Sequence, residues 1–215
     1  MKIKGAIFDL DGTLIDSMPF WDTIGEEYLR KRGIVPRSGL KKELQSLSLQ
    51  QAACYYQTEY GLTDSCDDIV EGVKKMLADY YTNVVVLKES VCEMLRTFDA
   101  LGIKMCVATA TDKSLAEAAL KRNDILHYFQ RVFTCDEVGY GKDEPVIYNA
   151  ALDFLSTPLN QTWVFEDALY AAKTAKTIGL PLVGVYDAAE QQKQALQQLA
   201  DIYIHNFREM EAFLP

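Results

Sequence analysis

Histidine is nearly absent from this chain: among 215 residues only His127 and His205 occur. Each stands alone near an expected element end, so no histidine-based metal cage can be assembled from them. The five cysteines, Cys54, Cys66, Cys92, Cys106 and Cys135, are scattered without CxxC spacing. An odd, dispersed set reads as reduced thiols and excludes a disulfide framework. Cys106, inside an apolar run, reads as a small core hydrophobe. No apolar stretch reaches the roughly 18 residues of a membrane span. Positive charge is also in deficit, with 22 Lys and Arg against 31 Asp and Glu, a net charge of −9. That balance argues against nucleic acid and anionic membranes as partners. The N-terminus runs directly into a strand rather than a cleavable signal. We therefore expect a soluble, cytoplasmic monomer.

An apolar fraction of 49% with 11% aromatics provides for a sizeable core. The length suits one α/β core with a modest insertion. Apolar β-type runs occur at 6–8, 103–108, 132–134, 162–165, 182–185 and 202–204, and helical patterns separate the later ones. Alternating strands and helices imply right-handed crossovers and a doubly wound, mostly parallel sheet. Ser90 and Glu93 read as a capping box, opening a helix that buries Val91, Met94, Leu95, Phe98 and Leu101 and stops at Gly102. A second helix follows Pro145, with Ile147, Ala150, Ala151 and Phe154 at helical spacing. A third spans 168–178 and ends at Gly179. The Gln-rich 191–198 stretch reads as a surface helix.

Between the first two strands lies far more chain than a crossover needs. Apart from an ambiguous 84–87, residues 17–87 carry only amphipathic helical stripes. One holds Trp21, Ile24, Tyr28 and Leu29, a second Ala52, Ala53, Tyr56 and Tyr60, and a third Ile69, Val70, Val73, Met76, Leu77 and Tyr80. We expect a core of 1–16 and 88–215, with 17–87 as an inserted helical cap above the first strand's end.

Chemistry concentrates where strands stop. The first ends in Asp9-Leu10-Asp11-Gly12-Thr13, two carboxylates on alternate positions followed by a residue that turns freely. Paired acids repel, so a positive group is expected between them, most simply a divalent metal with oxygen ligands. The second ends in Thr109-Ala110-Thr111-Asp112, a hydroxyl and backbone N–H groups before a helix, suited to gripping a phosphate. After the third, Gly139-Tyr140-Gly141-Lys142-Asp143-Glu144-Pro145 puts one lysine before a helix start. The fourth ends in Glu166-Asp167-Ala168, a second acidic pair able to complete an oxygen-only metal shell.

These motifs, in this order and over essentially the whole chain, resemble the haloacid dehalogenase superfamily, in its branch with a helical cap. The resemblance implies that Asp9 is the nucleophile, forming an aspartyl-phosphate, and that Asp11 is the acid and base. It implies Mg²⁺ on Asp9, the Asp11 carbonyl and Asp167, with Glu166 ligating or nearby. Thr109, Ala110 and Lys142 would hold the transferring phosphoryl group, and Asp16 would brace the turn into the cap. Asp11 excludes the dehalogenases, which lack that acid. The expected activity is hydrolysis of a small phosphorylated metabolite of the sugar-phosphate class. A β-phosphoglucomutase-like phosphotransferase is the alternative, but without gaps that mutase's cap histidine falls on Trp21 and its cap arginine on Leu49. Trp21 and Leu49 are thus candidate specificity residues. A non-catalytic binder on the same fold is the reading of another class, disfavoured by intact Asp9, Asp11 and Lys142. Family caps usually return through Pro-Gly, whereas this chain has Glu89-Ser90.

Overall fold

The computed structural model describes residues 2–44, 47 and 49–213. The chain divides into two compact units, Met1–Met18 with Val85–Pro215, and Pro19–Val84. The larger unit holds six strands: β1 (Gly5–Phe8), β2 (Lys104–Thr109), β3 (Val132–Thr134), β4 (Thr162–Glu166), β5 (Leu182–Val185) and β6 (Ile202–Ile204). They form one sheet in the order β3-β2-β1-β4-β5-β6, every pair parallel. Winding reverses between β1 and β4, the switch point at which open α/β sheets bind ligands outside the strands' carboxyl ends.

The central strands are apolar on both sides because both sheet faces are covered. Ile7, Cys106 and Val164 turn to one core, shared with Ile147, Tyr148 and Ala151 of helix Val146–Leu155 and with Leu169, Ala172 and Ala175 of helix Leu169–Thr177. Phe8 turns the other way, stacking on Phe165 at 4.4 Å between ring centroids and meeting Phe98 of helix Val91–Ala100 and Phe129. The Gln-rich segment forms helix Lys193–Leu199, and its Leu196 is buried in the first core. It is therefore a packed amphipathic helix, not merely a surface one.

The smaller unit is helical: Met18–Arg30 (begun one residue earlier), Leu40–Leu44, Leu49–Tyr60 and Cys66–Asn83. Ile24, Tyr28, Leu29, Ala53, Tyr56, Ile69, Val73 and Leu77 are buried, as the stripes predict. Trp21 departs from its stripe: it is 38% exposed, and its indole N–H donates to Tyr81 Oη at 2.9 Å. It lies in the helix's first turn, a full turn before the first buried residue, Ile24. No described helix is long and apolar enough to cross a membrane.

Three further expectations are corrected. Residues 84–87 form no strand; Leu87 makes only an isolated antiparallel bridge with Ile15. Leu101 and Phe154, expected inside, are 47% and 43% exposed. Leu101 falls past the last turn of its helix, where it serves as the C-cap. The Ser90 capping box does not form: Ser90 has φ +62° and ψ +15°, and its side chain makes no cap bond. An N-cap hydroxyl reaches the N3 amide from an extended backbone, which Ser90 does not have. Glycine adopts this left-handed geometry without a steric penalty. For Ser90→Gly, relief of about 1–2 kcal/mol of left-handed strain exceeds the about 0.4–1 kcal/mol cost of a freer unfolded chain. Urea denaturation should show a net gain of about 0.5–1 kcal/mol; a loss would contradict the strained turn.

Candidate active site

The β1–β4 ladder extends one residue past β1, because the Asp9 N–H donates to Phe165 O at 2.9 Å. The chain then folds into a tight turn, with the Leu14 and Ile15 amides both donating to Leu10 O at 2.9 and 3.0 Å. Gly12 sits at φ +81°, and a Cβ there would collide with the Asp167 carboxylate. Glycine is thus required twice, for the turn and for the close approach. Thr13 Oγ1 donates to Asp167 Oδ1 at 2.7 Å, fastening the turn to the end of β4.

This turn separates the two aspartates that the sequence reading paired about one cation. Strand geometry stops at Phe8, so alternation no longer aims Asp9 and Asp11 together. The Asp11 carboxylate accepts from Ser17 Oγ and Thr111 Oγ1, each at 2.6 Å. Asp9 instead clusters with Glu166 and Asp167, all buried, their ligand oxygens within 4.8 Å of one another. The Asp11 side chain is not part of that group, which leaves its backbone carbonyl as the donor the resemblance implies.

Lys142 supplies the positive charge. Its loop follows helix Cys135–Val138, closed by Gly139 at φ +78°, and precedes helix Val146–Leu155. Thr174 Oγ1 donates to Asp143 O at 3.3 Å, tying the loop to the helix after β4. Lys142, only 2% exposed, donates from Nζ to Asp9 Oδ1 and, at 2.8 Å, to Glu166 Oε2. Tyr148 Oη also donates to Glu166 Oε2, at 3.1 Å.

One ammonium between three buried carboxylates leaves charge uncompensated. Burial, then the charge of Glu166, pushes the Asp9 carboxyl up to about 7 against the pull of Lys142. Burial, then Asp9 and Glu166, holds Asp167 well above the usual carboxylate range. Burial alone would lower Lys142, but Asp9 and Glu166 outweigh it and hold the ammonium protonated. An oxygen-only, buried and underneutralised donor set fits a hard divalent cation such as Mg²⁺.

Of the other expected residues, Thr109 is buried at the end of β2, where its Oγ1 accepts the Thr111 N–H at 3.0 Å. That bond does not use the hydroxyl's own proton. Ala110 follows it, exposed. In the smaller unit, Leu49 is 41% exposed at the start of its helix. The sequence reading missed the contacts of Thr13, Ser17, Thr111 and Tyr148. Thr13 and Thr111 stood inside quoted motifs, and Tyr148 follows Ile147 on a recognised helix, but nothing local marked what each would bond.

The charge imbalance has a consequence for stability. An acid with a raised folded pKa keeps its proton after the unfolded chain has released its own, near the ordinary 3.8. Stability is therefore lost as pH rises, through about 7 for Asp9. In chelator, Asp167→Asn should match the wild-type melting temperature near pH 4 and exceed it increasingly toward pH 8. Saturating Mg²⁺ should raise the wild type more than the variant. A melting difference that does not change with pH would contradict this electrostatic account.

Comparison with known proteins identifies the family. The chain is 26% identical over 209 residues to a phosphorylated carbohydrates phosphatase of Thermotoga maritima, covering 91% of each protein. It is 30% identical over 184 residues to a phosphoglycolate phosphatase of Rhodobacter capsulatus, covering 82% of this chain and 81% of the relative. Among solved structures, CbbY of Rhodobacter sphaeroides in complex with phosphate superposes with a TM-score of 0.75 at 21% identity, over 97% of this chain and 96% of that one. The family model for haloacid dehalogenase-like hydrolases matches residues 6–185, and the chain belongs to that family.

Proposed function

We propose that this protein is a Mg²⁺-dependent phosphatase acting on a small phosphorylated metabolite, of the sugar-phosphate class, through an aspartyl-phosphate. The observation that carries this reading is the buried set of Asp9, Lys142, Glu166 and Asp167 at the adjoining ends of β1 and β4. An anion-destabilised carboxylate beside a protonated ammonium suits nucleophilic attack on a phosphoryl group. The name of one relative, a phosphorylated carbohydrates phosphatase, supports the sugar-phosphate class, and that of another, a phosphoglycolate phosphatase, supports a small phosphorylated metabolite.

In this mechanism an Asp9 oxygen attacks phosphorus while the ester oxygen departs, taking a proton from Asp11. The Asp11 carboxylate then takes a proton from the water that attacks the aspartyl-phosphate, releasing inorganic phosphate and restoring Asp9. Lys142 turns its charge to the phosphoryl oxygens, and Thr109 Oγ1 with the Ala110 amide adds hydrogen bonds. Asp9, Asp167, the Asp11 carbonyl and, directly or through water, Glu166 would hold the metal, which offsets repulsion between carboxylate and phosphate. Trp21 and Leu49 stay our candidates for substrate selection on the resemblance alone.

Turnover of p-nitrophenyl phosphate should require Mg²⁺, vanish on chelation, and fall by about a thousandfold or more in Asp9→Asn with the fold intact. Asp11→Asn should hurt alkyl phosphates more than p-nitrophenyl phosphate, whose leaving group needs little protonation. Equal losses across leaving groups would remove Asp11 from the acid role. Metal-independent turnover, or near-wild-type rates in Asp9→Asn, would overturn the mechanism. Formation of glucose 6-phosphate from β-glucose 1-phosphate faster than phosphate release would replace hydrolase by mutase.

A further inference from the structure

Outside the carboxylate cluster a second lysine is almost fully enclosed and makes three converging bonds. Lys88 Nζ donates to Gly12 O at 2.6 Å, to Tyr186 O at 2.6 Å and to Asp187 Oδ2 at 2.9 Å. The Lys88 side chain is 14% exposed and that of Asp187 is 5% exposed. An ammonium has three protons, and this geometry uses all of them. Asp187 is fixed in turn, its Oδ1 accepting the Ala189 N–H at 2.8 Å.

The three acceptors come from two places in the sheet. Gly12 belongs to the turn after β1; Tyr186 and Asp187 follow β5. Between those strands lies β4, whose end carries Glu166 and Asp167. Lys88 thus ties the turn after β1 to the end of β5 across the strand that supplies two of the clustered acids. Its backbone is anchored beside the same turn, since the Lys88 N–H donates to Leu14 O at 3.0 Å and the Asp16 N–H to Val86 O at 2.9 Å.

We propose that Lys88 is a positioning residue for the phosphatase site: by gripping the Gly12 carbonyl it sets how closely the turn that carries Asp11 and Thr13 approaches Asp167. Gly12 is the point at which a small shift matters, because its bare α-carbon lies against the Asp167 carboxylate with no room for a Cβ. Thr13, the next residue, bonds that same carboxylate. Releasing the Gly12 carbonyl would let the turn drift from Asp167 and move the Asp11 carbonyl with it. Displacements of about 1 Å originating away from the reacting atoms can cost about a hundredfold in rate. Lys88 touches neither substrate nor reacting atoms in this account. Its role rests on the phosphatase reading above.

A bond that only stabilises would predict different behaviour, and a pair of variants separates the two. Lys88→Met strands the buried Asp187 charge, so it should lose both melting temperature and turnover. In Lys88→Met/Asp187→Asn that stranded charge is gone but Gly12 O still lacks its donor. We expect the double variant to recover melting temperature to within a few degrees of wild type. Its kcat on p-nitrophenyl phosphate should stay about tenfold to a hundredfold down, with KM changed less than about threefold, and half-saturation should need more Mg²⁺. Recovery of kcat together with melting temperature would overturn the proposal and leave Lys88 a stabilising group only.

A readout independent of activity is amide hydrogen exchange. The Gly12, Leu14 and Ile15 amides, all bonded within the turn, should exchange at least tenfold faster in the double variant, while those of Ile7 and Phe8 in β1 stay unchanged. Unchanged exchange in the turn would overturn the proposal even if turnover fell. If Lys88→Met alone does not fold, the double variant, which no longer strands the Asp187 charge, is compared directly with the wild type, and exchange in its turn decides the question. If the wild type shows no phosphatase activity, the function proposed above fails, while exchange in the turn still decides the role of Lys88.

Discussion

The structure depends on one buried ammonium that has too many carboxylates around it. Lys142 bonds Asp9 and Glu166, while Asp167 lies beside both acids and accepts a hydrogen bond from the neutral Thr13 hydroxyl. Removing such groups from water is costly, and their mutual repulsion adds to the cost unless further positive charge arrives. The site is therefore built to be incomplete by itself. That deficit is what suits the site to the cation and the phosphoryl group proposed above.

Sheet order converts sequence distance into this crowding. Asp9 and Asp167 are 158 positions apart by their numbers, yet β1 and β4 are hydrogen-bonded neighbours whose ladder runs through Asp9. Lys142 reaches the same point from the loop after β3, on the far side of β2. Only a doubly wound sheet, reversing at β1, brings these three ends to one edge. The aromatic stack of Phe8 on Phe165 lies immediately behind the carboxylates. Its burial contributes stability that offsets the electrostatic cost in front, so the residues preceding Asp9 and Glu166 support the acids they cannot neutralise.

Much of this was legible in the chain because the signals were local. The strands declared themselves as short apolar runs, and the acids, the threonine and the lysine declared themselves by standing where those runs stop. Legibility failed where geometry departs from its local default. Asp9 and Asp11 read as a pair by strand alternation, but the strand ends at Phe8 and the turn sends Asp11 to Ser17 and Thr111. Ser90 and Glu93 spell a capping box, but the return into the core needs a left-handed residue there and the hydroxyl cannot cap. Lys88 was silent: a lysine beside a predicted helix is ordinarily solvated, and its partners at Gly12 and Asp187 are visible only once β1 and β5 are placed.

The same contrast explains why the site tolerates so little change at Gly12. Most of the surrounding interactions are between side chains and have alternatives; a hydroxyl can replace a hydroxyl. Gly12 instead joins three constraints in one backbone unit: a left-handed φ, an α-carbon against Asp167, and a carbonyl held by Lys88. Any residue with a Cβ violates the first two together. The glycine after the second aspartate is thus more than a turn former, because its missing side chain is the space that the Asp167 carboxylate occupies. A turn defined this tightly fixes the direction of its backbone carbonyls at the end of β1, while the Asp11 carboxylate is held apart from the acid cluster by Ser17 and Thr111.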